Sequence, residues 1–302
     1  MASKQKVVAI LSLLNAALVW GLIWYPFRVL AQQGVSGELA TFLTYFIALI
    51  LGLLLFGPGW LELRRAGWWG LALTVSAGWT NLGYVLAMLG GEVMRVLLLF
   101  YLAPLWTVLL SHLLLGERLN RYGYIIISLS LGGAFIMLWR PHQGFPVPQN
   151  PAEWLGLSAG FAFALTNVLI RRVQHLSINL KSASVWFGTS LLTLLALLYH
   201  GNAAAQIVAI PTEGWWLIAA IALVLCVTSF SVQYGLTNLP ANQSILIFMF
   251  ELVAAALASY FLAGEEMDAW ELAGAALIVT ASLFSGKLYS QADNFQPGIK
   301  TS

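Results

Sequence analysis

FYLAPLWTVLLSHLLLGERL, Phe100 to Leu119, is an apolar stretch of about bilayer-spanning length, interrupted by Pro104 and closed by Gly116-Glu117-Arg118. The design returns at Phe248 to Met267, FMFELVAAALASYFLAGEEM, where Gly264-Glu265 answers Gly116-Glu117 at an offset of 148. Gly67-Trp68-Trp69 is answered by Gly214-Trp215-Trp216 at 147, and Arg28 by Arg171 at 143. A Trp-Trp or Gly-Glu pair alone recurs by chance. Three landmarks in one order at nearly one spacing point to a duplication of about 145 residues.

Composition fixes the class. Sixty per cent of the 302 residues are hydrophobic and 9% are charged, where a soluble domain carries about 25% charged residues. With a mean hydropathy of +0.83, the chain cannot cover itself with a polar surface, and it reads as an all-α integral membrane protein. Apolar runs of spanning length predict ten transmembrane helices, at 7–28, 39–57, 68–90, 94–115, 121–139, 153–172, 182–199, 214–237, 243–263 and 268–287. Val7 to Leu18, behind Lys4 and Lys6, resembles a signal peptide, but no soluble sequence follows it, so it reads as an uncleaved first helix.

The positive-inside rule orients these helices. With the N-terminus inside, eleven of the 14 Lys and Arg residues fall in inner segments and only Arg28, Arg95 and Arg140 in outer ones. Both termini are then cytoplasmic. Five helices per half is an odd number, so the halves enter the membrane in opposite senses, as two inverted five-helix repeats over 1–140 and 153–290. Residues 141–152, with Pro141, Pro146, Pro148 and Pro151, read as a periplasmic linker, and 291–302 as a polar cytoplasmic tail. Inverted repeats of this kind build two gates around one site in many secondary transporters.

These features resemble the drug/metabolite transporter superfamily, and within it the EamA-type bacterial exporters, over essentially the whole chain. The resemblance is carried by the Pro104 run ending in Gly116-Glu117-Arg118-Leu119, by Gly132-Gly133, and by Ala263-Gly264-Glu265-Glu266 followed by Gly274. It implies ten helices, alternating access, and a central cavity lined by the first, third, fourth, sixth, eighth and ninth. It also implies transport of amino acids, metabolites or drugs across the bacterial inner membrane. The chain departs from the family pattern at Glu92-Val-Met-Arg95, and in a second Pro helix that has no Pro but carries Glu251.

Ionisable groups inside a membrane are expensive and usually face a cavity. Glu251 sits about eight residues from the inner end of its helix, roughly 12 Å deep at the helical rise. Asn15, Asn167 and Gln233 fall at similar depth, a polar layer around one acid. A carboxyl there can exchange a proton, giving proton coupling, or hold a substrate ammonium. The amides can equally join helices by hydrogen bonds. Trp20, Trp24, Trp79, Asn81, Tyr84, Tyr101 and Trp106 complete the expected solute-binding set. Such rings suit an amphipathic solute or a cation, and packing explains them as well. Glu92 and Arg95 are three apart and can pair as a gate or as an interfacial ion pair. Pro104 removes a helical donor and marks either a cavity bend or an ordinary kink.

The reading taken is a secondary exporter of small organic solutes in the lipid bilayer, without cofactor or metal. Its basic residues are scattered in short loops, which points to no nucleic acid partner. Cys226 is alone, and His112, His142, His175 and His200 are dispersed. A membrane-embedded enzyme would need a nucleophile and base, or metal ligands, at one depth. A receptor or structural subunit would need neither the duplication nor the buried acid. Single-cysteine labelling in a Cys226→Ala background should find Ser3 and Thr301 on the cytoplasmic side and Gln143 on the periplasmic side. Termini on opposite sides would overturn the topology and the inverted repeat together.

Overall fold

In the computed structural model, residues 3–56, 60–91, 93–138, 148–201, 203–263 and 269–284 are described. Among them, every regular element is a helix. The first half holds α1 (Ser3–Gln32), α2 (Gly37–Phe56), α3 (Trp60–Gly90), α4 (Val93–Phe100), α5 (Ala103–Leu115) and α6 (Arg121–Leu138). The second holds α7 (Pro151–Arg172), α8 (Ile178–His200), α9 (Ala203–Ala209), α10 (Thr212–Asn238), α11 (Ala241–Phe248), α12 (Phe250–Ala258) and α13 (Ala269–Phe284). A π-helical turn, Ser259–Ala263, continues α12.

Eight helical spans are long and apolar enough to cross a membrane. In two of them, Val96–Leu115 and Ala241–Leu262, consecutive short helices make one span. Two shorter apolar helices, Arg121–Ile136 and Leu272–Phe284, stand where the fifth and tenth spans are expected.

Local chemistry sets the helix ends. Asn150 caps α7, its side-chain oxygen accepting from Glu153 N at 3.0 Å, with Pro151 in the first turn. The Glu153 carboxylate accepts in return from Gln149 N at 2.8 Å and Asn150 Nδ2 at 2.9 Å, so orphan donors on both sides of the cap are satisfied. Gly116 closes α5 in the left-handed region, φ 70°. Its N–H reaches the His112 carbonyl at 3.1 Å, the single bond of an αL ending, and the Glu117 N–H reaches the Ser111 carbonyl at 3.2 Å. The third predicted span begins within a longer helix: α3 starts at Trp60 and bends at Gly67 (φ 51°, ψ −148°). In the second half, α9 and the Pro211 corner precede α10 at the matching place. Trp68 and Trp216 are both exposed beside these corners, where aromatic rings anchor a helix in the headgroup region.

Packing runs mainly between the halves. α1 lies against α10 and α12, and its counterpart α7 lies against α3, α4 and α5. α2 lies on its counterpart α8, and α6 on α13. The α3–α8 contact repeats as α10–α2. Exchanging the two halves turns each of these pairings into itself or into another observed contact, α4–α7 becoming α1–α11, as two-fold pseudo-symmetry requires.

Small residues allow the closest crossings, since packing rather than the hydrophobic effect holds helices together in lipid. A Cβ on Gly188 of α8 would lie 2.0 Å from the Thr74 carbonyl oxygen of α3, and one on Gly78 would lie 2.5 Å from the Gly188 carbonyl. Gly188→Val should therefore lose about 1–3 kcal/mol or more through overpacking, seen as a lower unfolding midpoint in detergent. Gly132→Ala, whose new carbon meets nothing within 4 Å, should match or exceed the wild type.

Candidate functional site

Both halves interrupt the helix that carries the Gly-Glu signature, and they do so at matching positions. Tyr101 and Leu102 separate α4 from α5, and Met249 separates α11 from α12. Tyr101 and Met249 are 148 residues apart, the offset of the signatures themselves. In the first half Pro104 lies in the opening turn of α5 and brings no N–H to the ladder. Tyr101 N reaches Leu97 O at 2.9 Å and Leu105 N reaches Leu102 O at 2.9 Å across the turn. In the second half, Met249 N donates to Ile245 O and Leu252 N to Met249 O, each at 3.1 Å. The Met249 sulfur accepts from Ser130 Oγ at 2.9 Å, fixing this turn to α6.

Each break is backed by a glycine from the first helix of the opposite half. A Cβ on Gly160 of α7 would lie 2.4 Å from the Phe100 carbonyl oxygen. One on Gly21 of α1 would lie 2.9 Å from the Glu251 carbonyl and 2.6 Å from the Ala254 Cβ. Helix backbones thus touch at the points where the ladder is irregular.

Glu251 opens α12 immediately after the break. It is partly exposed while Leu252, Val253 and Ala254 beside it are buried. The Tyr101 side chain interacts with its carboxylate, and Tyr84 of α3 lies within its electrostatic reach. A row of rings leads away from this pair. Tyr84 meets Phe100 edge-on at 5.1 Å between centroids, Phe100 meets Tyr101 edge-on at 5.4 Å, and Phe100 stacks on Phe163 at 5.5 Å. Phe163 in turn meets Phe248 at 5.6 Å. Phe100 and Phe248 are the residues preceding the two breaks, so aromatic packing joins one break to the other through α7.

The other sequence-predicted residues fall in several places. Trp20 of α1 is half-buried and packs against two apolar clusters, each drawn from both halves. Trp24 packs edge-on with Tyr25 at 5.7 Å, and Trp106 with Phe161 at 5.5 Å, its indole N–H buried without a partner. Trp79 Nε1 donates to Ser158 Oγ at 3.2 Å. Asn81 is fully engaged between helices: Oδ1 accepts from the Tyr45 hydroxyl at 2.8 Å, and Nδ2 donates to Ala77 O at 2.9 Å and Thr189 Oγ1 at 3.1 Å. Asn167 and Gln233 are each 1% exposed, with Asn167 Nδ2 and Gln233 Oε1 unpartnered. No hydrogen bond among the described residues joins either of them to Glu251. Asn15 lies on the exposed stripe of α1 with Leu11, Leu18 and Leu22, opposite the buried Leu13, Ala16 and Ala17. Glu92 lies outside the described residues, and of Arg95 only its place in α4 is described.

A second polar cluster, at one end of the bundle, ties the halves together. Glu117 accepts from Ala241 N at 3.3 Å and Asn242 Nδ2 at 3.5 Å, and Asn242 Nδ2 also reaches Ser111 Oγ at 2.8 Å. The Gly-Glu signature of one half therefore caps the first turn of α11 in the other. Nearby, Glu62 accepts from Ser177 N at 2.9 Å. That backbone donor, with the Ser177 hydroxyl, holds the Glu62 carboxyl below its ordinary value. Arg171 donates to Thr237 O at 2.6 Å, and Arg172 to Leu114 O at 2.6 Å while lying 5.1 Å from the Trp69 ring centre. Lys181, expected in a connecting segment, is fully buried in the first turn of α8 and donates to Thr237 Oγ1.

Comparison with known proteins accords with this architecture. The model of the EamA-like transporter family matches residues 7–139 and 150–286. An uncharacterized transporter of Archaeoglobus fulgidus is 25% identical over 217 residues, 71% of this chain and 75% of the relative. An uncharacterized transporter of Pseudomonas aeruginosa is 22% identical over 291 residues, 85% of this chain and 92% of the relative. A crystal structure superposes with a TM-score of 0.73 at 20% identity, over 93% of this chain and 98% of the other.

The Asn81 network separates structural from solute-facing amides. Tyr45→Phe should remove one interhelical hydrogen bond and lower stability by about 0.6 kcal/mol, up to about 1.7 kcal/mol. Thermal unfolding of the purified protein measures this. Flux in liposomes should stay at the wild-type level, and a flux defect without a stability loss would place Asn81 at the solute.

Proposed function

Because the chain belongs to the EamA-like transporter family, we propose that it is a secondary active transporter exporting small organic solutes, amino acids or related metabolites, by alternating access. It would do so as a multi-pass protein of the bacterial inner membrane with both termini cytoplasmic. The observation that carries this reading is Glu251, an acid in the first turn after a broken membrane helix, partly exposed and met by Tyr101. An isolated carboxylate at membrane depth is expensive unless it serves a cavity, a proton or a cationic solute.

Two features support the alternation. Each broken helix has a place to bend without unwinding, and a glycine contact holds the bend against the opposite half. The Glu117–Ala241–Asn242 cap joins the halves at the proposed cytoplasmic end. On this reading, opening a path to the cytoplasm requires that cap to part. Glu251 then meets either a proton or the substrate ammonium, and competition between the two couples solute movement to the proton gradient.

Glu251→Gln keeps size and hydrogen bonding but cannot titrate. In proteoliposomes it should abolish proton-driven accumulation of a transported solute while retaining solute exchange and binding-induced thermal stabilisation. Full accumulation by Glu251→Gln, with the wild-type pH dependence, would make the acid structural.

A further inference from the structure

Arg28 and Arg171 stand 143 residues apart, each near the end of the helix that opens its half. Their surroundings differ. Arg171 is half-buried and donates to the Thr237 carbonyl at 2.6 Å and to Gln174 Oε1 at 3.0 Å. Thr237 lies in the last turn of α10, where carbonyls lack helical partners and a cation is favoured. Arg28 is exposed, and among the described residues it makes no hydrogen bond or ion pair. It faces a groove of about 290 Å³, lined also by Tyr25, Val29, Gln32 and Leu262.

The neighbouring helices show the same inequality. α7 packs on α10 and α11, and α5 packs on α11. The mirror pairs, α1 with α3 and α4 and α12 with α4, do not pack closely among the described residues. The counterpart of Thr237 is Gly90, at the 147-residue offset of the Gly-Trp-Trp corners. Gly90 ends α3 and is exposed, whereas Thr237 is half-buried. The repeats thus match through their middle and differ at their ends. The Arg171 end is drawn together and the Arg28 end is apart.

Two inverted copies that exchange their arrangements keep the pairings of the fold and swap which end is closed. We propose that Arg171 and Arg28 are matched latches: Arg171 on the end of α10 holds the packing described here, and Arg28 on the end of α3 holds the opposite one. The proposal rests on the alternating-access reading and names the groups that set the balance between its two states. With both termini cytoplasmic, Arg171 closes the cytoplasmic side and Arg28 the periplasmic side. Only one latch is engaged at a time, since each needs its own end drawn together. A hydrogen bond from a charged donor is strong enough that losing one shifts the balance about tenfold or more.

Cysteine reactivity tests this in nanodiscs, where a charged maleimide reaches both faces of the purified full-length protein. In a Cys226→Ala background, Gln243→Cys places the reporter in the first turn of α11, at the Arg171 end, where Gln243 is 2% exposed. Its modification rate follows the fraction of molecules in which that end has parted. Arg171→Met should raise the rate about tenfold, and Arg171→Lys by less. Arg28→Met, at the opposite face of the membrane, should lower it about tenfold, while Arg28→Lys keeps most of the wild-type rate. The double Met variant should return toward the wild type. Substitutions that merely loosen a fold make a buried cysteine react faster, so a slower reaction in Arg28→Met is not what a purely structural role gives. An unchanged or faster rate in Arg28→Met, or an unchanged rate in Arg171→Met, would overturn the proposal. Opposite shifts together with full accumulation by Glu251→Gln would keep the latches and remove the coupling role of the acid. Loss of accumulation by Glu251→Gln without opposite shifts would do the reverse.

Discussion

Every backbone N–H and C=O within hydrocarbon must find a partner inside the protein, because the solvent offers none. That constraint makes the chain helical almost throughout, and it makes each irregular turn costly unless neighbours close around it. Among the described residues, two such turns interrupt membrane-crossing spans, at Tyr101-Leu102 and at Met249. Each keeps its bonds by local substitution and is covered by a glycine of α7 or α1 pressed against the adjacent carbonyl. The glycines do more than permit close packing. They place helix backbone where water would otherwise be needed, and so allow the ladder to be broken next to an acid.

The same constraint explains why the halves are interleaved. Each broken helix rests mainly on the other half, α4 and α5 on α7, and α11 and α12 on α1. A half on its own would lose the glycine that backs its break. Duplication and folding are therefore linked, since the second copy supplies the cover that the first lacks. The Glu117 cap on Ala241 repeats the logic at the bundle's end, where one half's loop satisfies the orphan donors of the other half's helix.

Much of this could be read from the residues. Length and apolarity located eight spans long enough to cross and two shorter apolar helices where ten spans were expected, and the 148-residue offset that relates the Gly-Glu signatures also relates the two breaks. What escaped was whatever depends on the direction a side chain takes around its helix. Asn15 has the depth of Glu251 but the azimuth of Leu11 and Leu18, and a helix apolar on all sides gives no sign of which face packs. Asn81 was grouped with the cavity aromatics, yet partners on α2 and α8 occupy both ends of its amide. The break at Met249 has no proline to announce it, Leu252 standing where Pro104 stands in the first half. Lys181 looked like a loop cation because a charge ends an apolar run on paper, whereas Thr237 lets the helix begin one turn earlier around it.

Where the halves differ is as informative as where they agree. At the offset of 148, Tyr101 corresponds to Met249 and Glu251 to Ala103. The backbone thus repeats its break twice, while the phenol and the carboxylate each occur once and meet each other across the pseudo-two-fold relation. Two inverted copies of one scaffold tend to equalise the energies of its two packings, because each arrangement of one half is the mirror task of the other. A single acid with a single aromatic partner removes that equality. On the proposed alternating-access reading, the acid would meet different surroundings in the two packings, so its occupancy would bias the balance between them. Symmetry would then supply the two states, and the asymmetric Tyr101–Glu251 pair would give a proton or ammonium something to choose between.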